Sequence, residues 1–263
     1  MKKSAIRLLS AVLIFAAFLG LWFGVIALFD IKPFMLPTPK AVLDAAIDRF
    51  PSLSTSLLIT AATAAGGLLA SIVAGVAIAL IFAQSRWIRR MFFPYTILLQ
   101  TVPIVAIAPL IIMWIGPGMF SVGLVAFIIC LAPIIANTTQ GLISVDRNLV
   151  DLFLMNNASH LQILLKLRLP HAMPALFTGI RISAGIAVIG AITGELFAGS
   201  NRVGVGGIGY AIQYASSQVE TDYLFALVAA ATLLGFFFFF LVAFVEWYFL
   251  HQWHESARAV EAD

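Results

Sequence analysis

Residues 91–145 read MFFPYTILLQTVPIVAIAPLIIMWIGPGMFSVGLVAFIICLAPIIANTTQGLISV, 55 residues without one Asp, Glu, Lys or Arg. An α-helix crosses the hydrocarbon core of a bilayer in about 20 apolar residues, so this run is too long for one crossing and suits two. Gly116-Pro117-Gly118 lies near its middle. Proline removes a backbone donor and glycine turns freely, so the tripeptide predicts a tight turn between two spans. Three more charge-free runs flank it: 22 residues from Leu8 to Phe29, 36 from Phe50 to Ser85 and 23 from Tyr223 to Val245. A sixth segment, from about Ala172 to Ala198, contains Arg181 and Glu195. Each of these costs on the order of 3 kcal/mol at mid-membrane, so each needs a compensating neighbour. The expectation is an all-α, polytopic membrane protein with six transmembrane helices.

Composition points the same way. Of 263 residues 62% are hydrophobic and 10% charged, against about 25% charged in an ordinary soluble domain. A soluble globular protein is excluded. The net charge of +3 does not indicate nucleic acid, because the basic residues sort by membrane side. With the N-terminus inside, Lys2, Lys3, Arg7, Arg86, Arg89, Arg90, Arg147, Lys166, Arg168 and Arg258 fall on the cytoplasmic side, and Lys32, Lys40, Arg49 and Arg202 outside. That asymmetry follows the positive-inside rule and puts both termini in the cytoplasm. The first segment reads as an uncleaved span, since its apolar run exceeds a typical signal core and no small-x-small site follows.

The chain then divides into three parts. Residues 1–50 hold the first span and an external segment, where Thr38 as cap and Pro39 at the first helical position start a short helix. Its stripe of Leu43, Ile47 and Phe50 suits the outer membrane interface. Residues 51–250 form the membrane domain and 251–263 a cytoplasmic tail. No internal repeat is visible, so the second half of any symmetric path must come from another chain. The lone Cys130 lies in an apolar run and reads as a packing residue.

The connection from Ser144 to His171 is the longest on the cytoplasmic side, and it is patterned as two short helices. Asp146 caps the first, which carries Leu149, Val150, Leu152, Phe153 and Met155 and stops at Asn156-Asn157. Ser159 begins the second, with Gln162 completing a capping box and Leu161, Leu164 and Leu165 as its stripe, and a stop is expected before Pro170. An apolar helix pair facing the cytoplasm needs a partner, so the segment reads as a docking surface for another protein, the alternative being that the pair folds back onto its own bundle.

Several chemistries are absent or spurious. Gly204-Val205-Gly206-Gly207-Ile208-Gly209 matches G-x-G-x-x-G, but it follows a membrane span instead of a strand and falls outside; it reads as a tight turn or a close backbone contact. No G-x-x-x-x-G-K-[ST] occurs, so the chain carries no P-loop ATPase site. His160, His171, His251 and His254 stand without acidic or thiol companions, and no metal or cofactor is expected. No histidine lies deep in a span, which disfavours an intramembrane serine protease.

With these residues in view, the chain resembles the inner-membrane permease subunits of bacterial ATP-binding-cassette importers of type I, in the nitrate, sulfonate, taurine and thiamine-pyrimidine group. The resemblance covers nearly the whole chain. It is carried by Leu36-Pro37-Thr38-Pro39, Gln100-Thr101-Val102-Pro103, Ala106-Ile107-Ala108-Pro109-Leu110, Trp114-Ile115-Gly116-Pro117-Gly118 and the segment from Pro133 to Gly141. Its most specific element is the family's EAA loop: Glu-Ala-Ala, a glycine six residues after the Glu, and a closing Leu-Pro. Here Asp151 stands at the Glu, Leu152 and Phe153 at the alanines, Asn157 at the glycine, and Leu169-Pro170 at the close. Asp keeps the negative charge, and Asn tolerates the left-handed turn a glycine would make.

The resemblance implies that Asp151, Leu152, Phe153, Asn157, Ala158, Ser159, Leu169 and Pro170 couple the permease to an ATPase. The implied partners are two copies of a cytoplasmic ATP-binding subunit, a second permease chain forming a homodimer, an extracytoplasmic solute-binding protein and the lipid bilayer of the inner membrane. ATP is used by the partner, not bound by this chain. The implied substrate is a small organic or oxyanion solute, a thiamine-precursor pyrimidine among them.

Within the spans, Gln100, Thr101, Asn137, Thr138, Arg181 and Glu195 are the candidates for a translocation path or gate, with Thr139 beside them. Small polar residues in spans usually act as interhelical ties, so lining the path is the minority reading for Gln100, Thr101, Asn137, Thr138 and Thr139. The alternative for Arg181 and Glu195 is interhelical hydrogen bonding, or snorkelling for Arg181. Arg181 and Glu195 are fourteen residues apart, about 21 Å along a helix, too far to pair with each other. The alternative function is a secondary transporter driven by an ion gradient. It would need mid-membrane carboxylates and an internal repeat, and only Glu195 is a candidate.

Overall fold

The computed structural model describes residues 2–199 and 206–251. Arg202, Gly204, Val205 and the tail with His254 and Arg258 lie outside the described residues, as do the side chains of Lys2, Lys3 and Arg7. Among the described residues every regular element is helical, in the order α1 (Lys2–Phe29), α2 (Pro39–Asp48), α3 (Phe50–Gln84), α4 (Arg86–Thr101), α5 (Ile104–Ile115), α6 (Met119–Ile143), α7 (Arg147–Met155), α8 (His160–Ile163), a π-helical turn (Leu164–Arg168), α9 (Leu169–Ala198), α10 (Ile208–Ser217) and α11 (Thr221–Leu250).

Among the described residues four stretches are long and apolar enough to cross a membrane: α3, α6, the unbroken run from His160 to Ala198, and α11. The pair α4 and α5 meets that test together but is bent by 97°. Gly116 and Gly118, at φ +97° and +156°, make the expected turn between α5 and α6. The bend was not expected. It falls at Val102-Pro103, where sterics before a proline push Val102 out of the helical region, to φ −72° and ψ 123°. Pro103 has no N–H to continue the ladder. One anticipated straight span is therefore an angled pair.

Helix α6 is the centre of the bundle, with α3 on one flank and α9 on the other. Gly67 of α3 and Gly190 of α9 both rest on Ala126, where an added Cβ would lie 2.7 Å from the Ala126 Cβ and 2.8 Å from its Cα respectively. Small residues let backbones approach when lipid supplies no hydrophobic drive between helices. At these short separations side chains reach backbone groups across the gap. The Ser183 hydroxyl donates to the Cys130 carbonyl at 3.0 Å, the Cys130 thiol lies 3.4 Å from the Ser183 carbonyl, and Ser71 donates to the Phe127 carbonyl at 2.8 Å. Cys130 is fully buried, in keeping with a packing role.

Around this core, α11 packs on α9 and α2 packs on α11. Thr38 caps α2, accepting from the Ala41 N–H at 3.2 Å. Val42, Ala45 and Ala46 turn toward the bundle, while Leu43, Ile47 and Phe50 remain exposed. Helix α1 stands to one side and touches the bundle through Trp22, whose indole N–H donates to the Pro37 carbonyl at 3.1 Å and whose ring meets Phe225.

A second expectation needs correction. The helix after Ser159 does not stop before Pro170. In a regular α-helix the proline ring would collide with the carbonyl four residues back. The π-helical turn Leu164–Arg168 widens the backbone there, with the Leu169 N–H bonding to the Leu164 carbonyl five residues earlier. The chain passes Pro170 without leaving the helix, and the loop and the following span become one continuous piece.

Candidate functional site

Two regions hold the sequence-derived candidates. The first is the loop. Asp146 caps α7, its carboxylate accepting from the Asn148 N–H at 2.8 Å. The chain then reverses at Asn156-Asn157, where Asn157 takes φ +56° and so occupies the left-handed region that a glycine would favour. Ser159 and Gln162 form the capping box: the Ser159 hydroxyl accepts from the Gln162 N–H at 3.2 Å, and the Gln162 side-chain carbonyl accepts from the Ser159 N–H at 2.8 Å. Three local devices thus fix a helix, a hairpin turn and a second helix.

The pair does not fold back onto its own bundle with its whole apolar surface. Leu149, Leu152, Leu154, Met155, Leu161 and Leu165 are exposed, Met155 at 82%. Asp151, Asn157 and Ser159 are also exposed, and Phe153 and Ala158 are half-buried. Phe153, Ala158 and Gln162 line a shallow groove between the two helices. Leu169 and Pro170 lie at the far end, where the loop enters α9.

The second region is the set of in-span polar residues, which the structure does not gather into one place. Gln100 and Thr101 are exposed at the end of α4, beside the bend, with the Thr101 hydroxyl donating to the Leu98 carbonyl at 2.8 Å. Asn137 is half-buried and donates to the Pro133 carbonyl at 2.8 Å. Thr138 and Thr139 are buried in α6, and neither hydroxyl has a hydrogen-bond partner among the described residues. Arg181 on α9 lies 3.1 Å from Glu246 on α11 and over the ring of Phe239. Sequence reasoning missed Glu246. An in-span cation needs a counter-charge, and a search for acids near the same depth of another span would have found it.

Glu195 is 4% exposed and sits in a tight constellation. The Thr60 hydroxyl of α3 is 2.9 Å from both carboxylate oxygens, and the Gly209 N–H donates to Oε2 at 2.9 Å. The Ile208 N–H donates in turn to the Thr60 hydroxyl at 2.8 Å. Ile208 and Gly209 open α10, whose first N–H groups have no intrahelical acceptor and carry the positive end of the helix dipole. Gly207, the residue at the cap position, has no side chain to satisfy them. Glu195 and Thr60, remote in sequence, do so instead.

The glycines make this possible. A Cβ at Gly207 would overlap the Glu195 carboxylate, and one at Gly209 would overlap the Ile192 carbonyl. The described part of the glycine cluster is therefore a cradle for a protein carboxylate, and close backbone contact is the reading the geometry supports. Three helices, α3, α9 and α10, meet at this clasp. Sequence offered no signal for Thr60 beyond its place in a Thr- and Ser-containing stretch of α3.

A further tie lies at the ends of the spans. Arg49 and Glu220 form a two-pronged ion pair, with Arg49 Nη2 donating to Glu220 Oε1 at 2.8 Å and Nη1 paired with Oε2. The Arg49 guanidinium also stacks over the Tyr223 ring at 4.8 Å. The hydrogen bond from Arg49 holds the Glu220 carboxyl below its usual value, and the same bond raises the Arg49 value.

The family described as binding-protein-dependent transport system inner membrane component matches residues 67–247. A probable ABC transporter permease protein of Haemophilus influenzae is 34% identical over 221 residues, 84% of this chain and 88% of that protein. The formylaminopyrimidine transport permease protein of Halalkalibacterium halodurans is 33% identical over 205 residues, 78% of this chain and 80% of its own length. The riboflavin transport system permease protein of Chloroflexus aurantiacus is 32% identical over 241 residues, 89% and 86% of the two chains. With a patterned loop, a helical membrane bundle and these matches, the chain belongs to the family of binding-protein-dependent transport system inner membrane components, the multi-pass permease subunits of ABC transporters for small solutes.

Proposed function

We propose that this chain is one half of the membrane path of an ATP-driven importer, crossing the inner membrane six times with both termini in the cytoplasm. In this reading α1 and the bent α4–α5 pair each count as a crossing. Two copies face one another, an extracytoplasmic binding protein delivers the solute, and the loop from Ser144 to His171 seats in a cytoplasmic ATP-binding subunit. The observation that carries the reading is the exposed apolar helix pair α7–α8, continuous through the π turn with α9. Exposed Leu and Met on a water-facing loop are explained by a partner. A loop continuous with a span passes movement of that partner into the bundle.

ATP acts on such a path only through differential affinity for two arrangements of it. Asp151, at the start of the docking face, and Asn157, which sets the angle of the hairpin, are the residues whose change should disturb the seating most. Gln100 and Thr101, exposed at the α4–α5 bend, are assigned to the path. Arg181 and Glu195, held by Glu246 and by the Thr60–Gly209 constellation, set the positions of the helices around it. Two of the matched relatives are named for formylaminopyrimidine and riboflavin transport, so a small nitrogen heterocycle is the first solute class to test.

The test is uptake into proteoliposomes holding the chain with its ATP-binding subunit. Asp151→Trp and Asn157→Trp should leave insertion intact and uncouple ATP hydrolysis from uptake, while Asn157→Gly should behave as wild type. Unchanged coupling in both Trp variants defeats the loop assignment. Uptake driven by an ion gradient with this chain alone defeats the ATP-driven reading altogether.

A further inference from the structure

At the loop end of the bundle a cavity of about 490 Å³ opens between the α3–α4 corner and the α7–α8 pair. Arg86, Arg89, His160 and Arg168 line it with Gln84, and no carboxylate does. Among the described residues the ion pairs are Arg49–Glu220 and Arg181–Glu246, so none of these arginines is paired with a described carboxylate. Arg168 donates to the Ala83 carbonyl at 2.9 Å, which leaves most of its donors unused and fixes its head at the cavity wall.

Local electrostatics sharpen the point. The first turn of a helix carries the positive end of the dipole and ordinarily favours Asp or Glu. The first turn of α4 has no acidic residue and begins instead with Arg86, followed by Arg89 and Arg90. Two guanidiniums facing the cavity therefore stand on an end that already repels them, with a third across the gap. Such an arrangement is relieved by an anion seated among them. The face of α4 beside the cavity names the source: Trp87, Met91, Phe92 and Tyr95 are all exposed, the aromatic and apolar side chains that sit at a membrane interface. Basic pockets between transmembrane helices on the cytoplasmic side suit phospholipid headgroups.

We propose that this cavity binds the phosphodiester headgroup of an anionic phospholipid of the cytoplasmic leaflet, with Arg86, Arg89 and Arg168 as its donors. The inference rests on the orientation given under the proposed function. Because Arg168 belongs to the π turn leading into α9, a bound headgroup bridges the α3–α4 corner to the continuous helix and stiffens the joint that the loop drives.

The purified full chain in neutral detergent is titrated with short-chain phosphatidylglycerol, phosphatidylcholine and inorganic phosphate, and retained lipid is counted by native mass spectrometry. The wild type should hold one phosphatidylglycerol in preference to phosphatidylcholine. Arg86→Gln with Arg89→Gln should weaken that binding by about fivefold per arginine, roughly 25-fold together. Arg90→Gln, which does not line the cavity, should change it little. If the double variant does not accumulate, Arg89→Gln alone is read in the same way. Equal retention by wild type and variant overturns the proposal. So does phosphate displacing the lipid at equal concentration, which would mark a soluble anion as the ligand. Loss of ATP-binding-subunit capture in the double variant, with lipid retention unchanged, assigns the arginines to the protein partner and also overturns it. Labelling of a cysteine placed at Gln162 from the periplasm of intact cells would sink the orientation while leaving the measured anion site standing.

Discussion

Thr60→Val removes one hydroxyl and keeps the volume of the side chain, which makes it a clean probe of the Glu195 clasp. In the native arrangement that hydroxyl accepts from the Ile208 N–H and donates to the carboxylate, and Ile208 is fully buried. Valine leaves the N–H without an acceptor and the carboxylate with one donor fewer. A buried group left unpaired costs about 1–3 kcal/mol, more where charge is involved, so the two losses sum to on the order of 3 kcal/mol. At roughly 2–4 °C per kcal/mol for a chain of this size, the midpoint of thermal unfolding should fall by about 6–12 °C. The protein supplies its own reporter: Cys130 is its single cysteine and is fully buried, so a thiol-reactive fluorophore reads the opening of the α6–α9 contact in detergent. Thr60→Ser should restore the midpoint, and a cycle with Glu195→Gln should show coupling above about 0.5 kcal/mol. A Thr60→Val midpoint equal to that of Thr60→Ser refutes the clasp as an energetic unit.

Other outcomes follow from the same geometry. Gly207→Ala should lower the midpoint by steric overlap with Glu195, whereas Gly185→Ala, which has open space around it, should not. Arg181→Met leaves Glu246 without its cation and should destabilise by about 2 kcal/mol, less than for a fully buried pair because Arg181 is 34% exposed; adding Glu246→Gln should recover most of the loss in the same thiol assay. The Arg49–Glu220 pair lowers the Glu220 value, so its contribution is present above the ordinary carboxyl range near 4.5 and fades as pH falls through the lower folded value. Unfolding midpoints from pH 6 to pH 3 should drop less steeply in Glu220→Gln than in the wild type.

The parts of this protein legible in the sequence are those set by neighbours along the chain. Asp146, Ser159 with Gln162, and Thr38 with Pro39 announce helix starts because a cap acts within three residues. Gly116-Pro117-Gly118 announces a turn for the same reason, and charge-free runs mark where lipid is the solvent. Proline proved ambiguous. Pro103 breaks its helix, Pro94, Pro133 and Pro174 sit inside theirs, and Pro170 is passed beside the π-helical turn Leu164–Arg168, so a proline by itself does not announce a helix end. The polar ties were hidden for a different reason. Thr60 meets Glu195 across 135 residues, and Arg181 meets Glu246 on another helix. A single sequence shows that Arg181 and Glu195 need partners without showing which.

The unbroken helix from His160 to Ala198 spans 39 residues, about 58 Å at an α-helical rise. In the proposed importer one end is the surface offered to the ATP-binding subunit, and three residues from the other is Glu195. Near its middle Gly179 lies against Pro133 and Ile134 of α6, and a rigid beam of this length pivoted there moves its two tips by about one to two ångströms in opposite directions for a turn of a few degrees. In the proposed importer, push and release on the two faces of the membrane would then need no relay of intermediate residues: a single seesaw would keep the outer mouth in step with the inner one, whichever solute is on the way through.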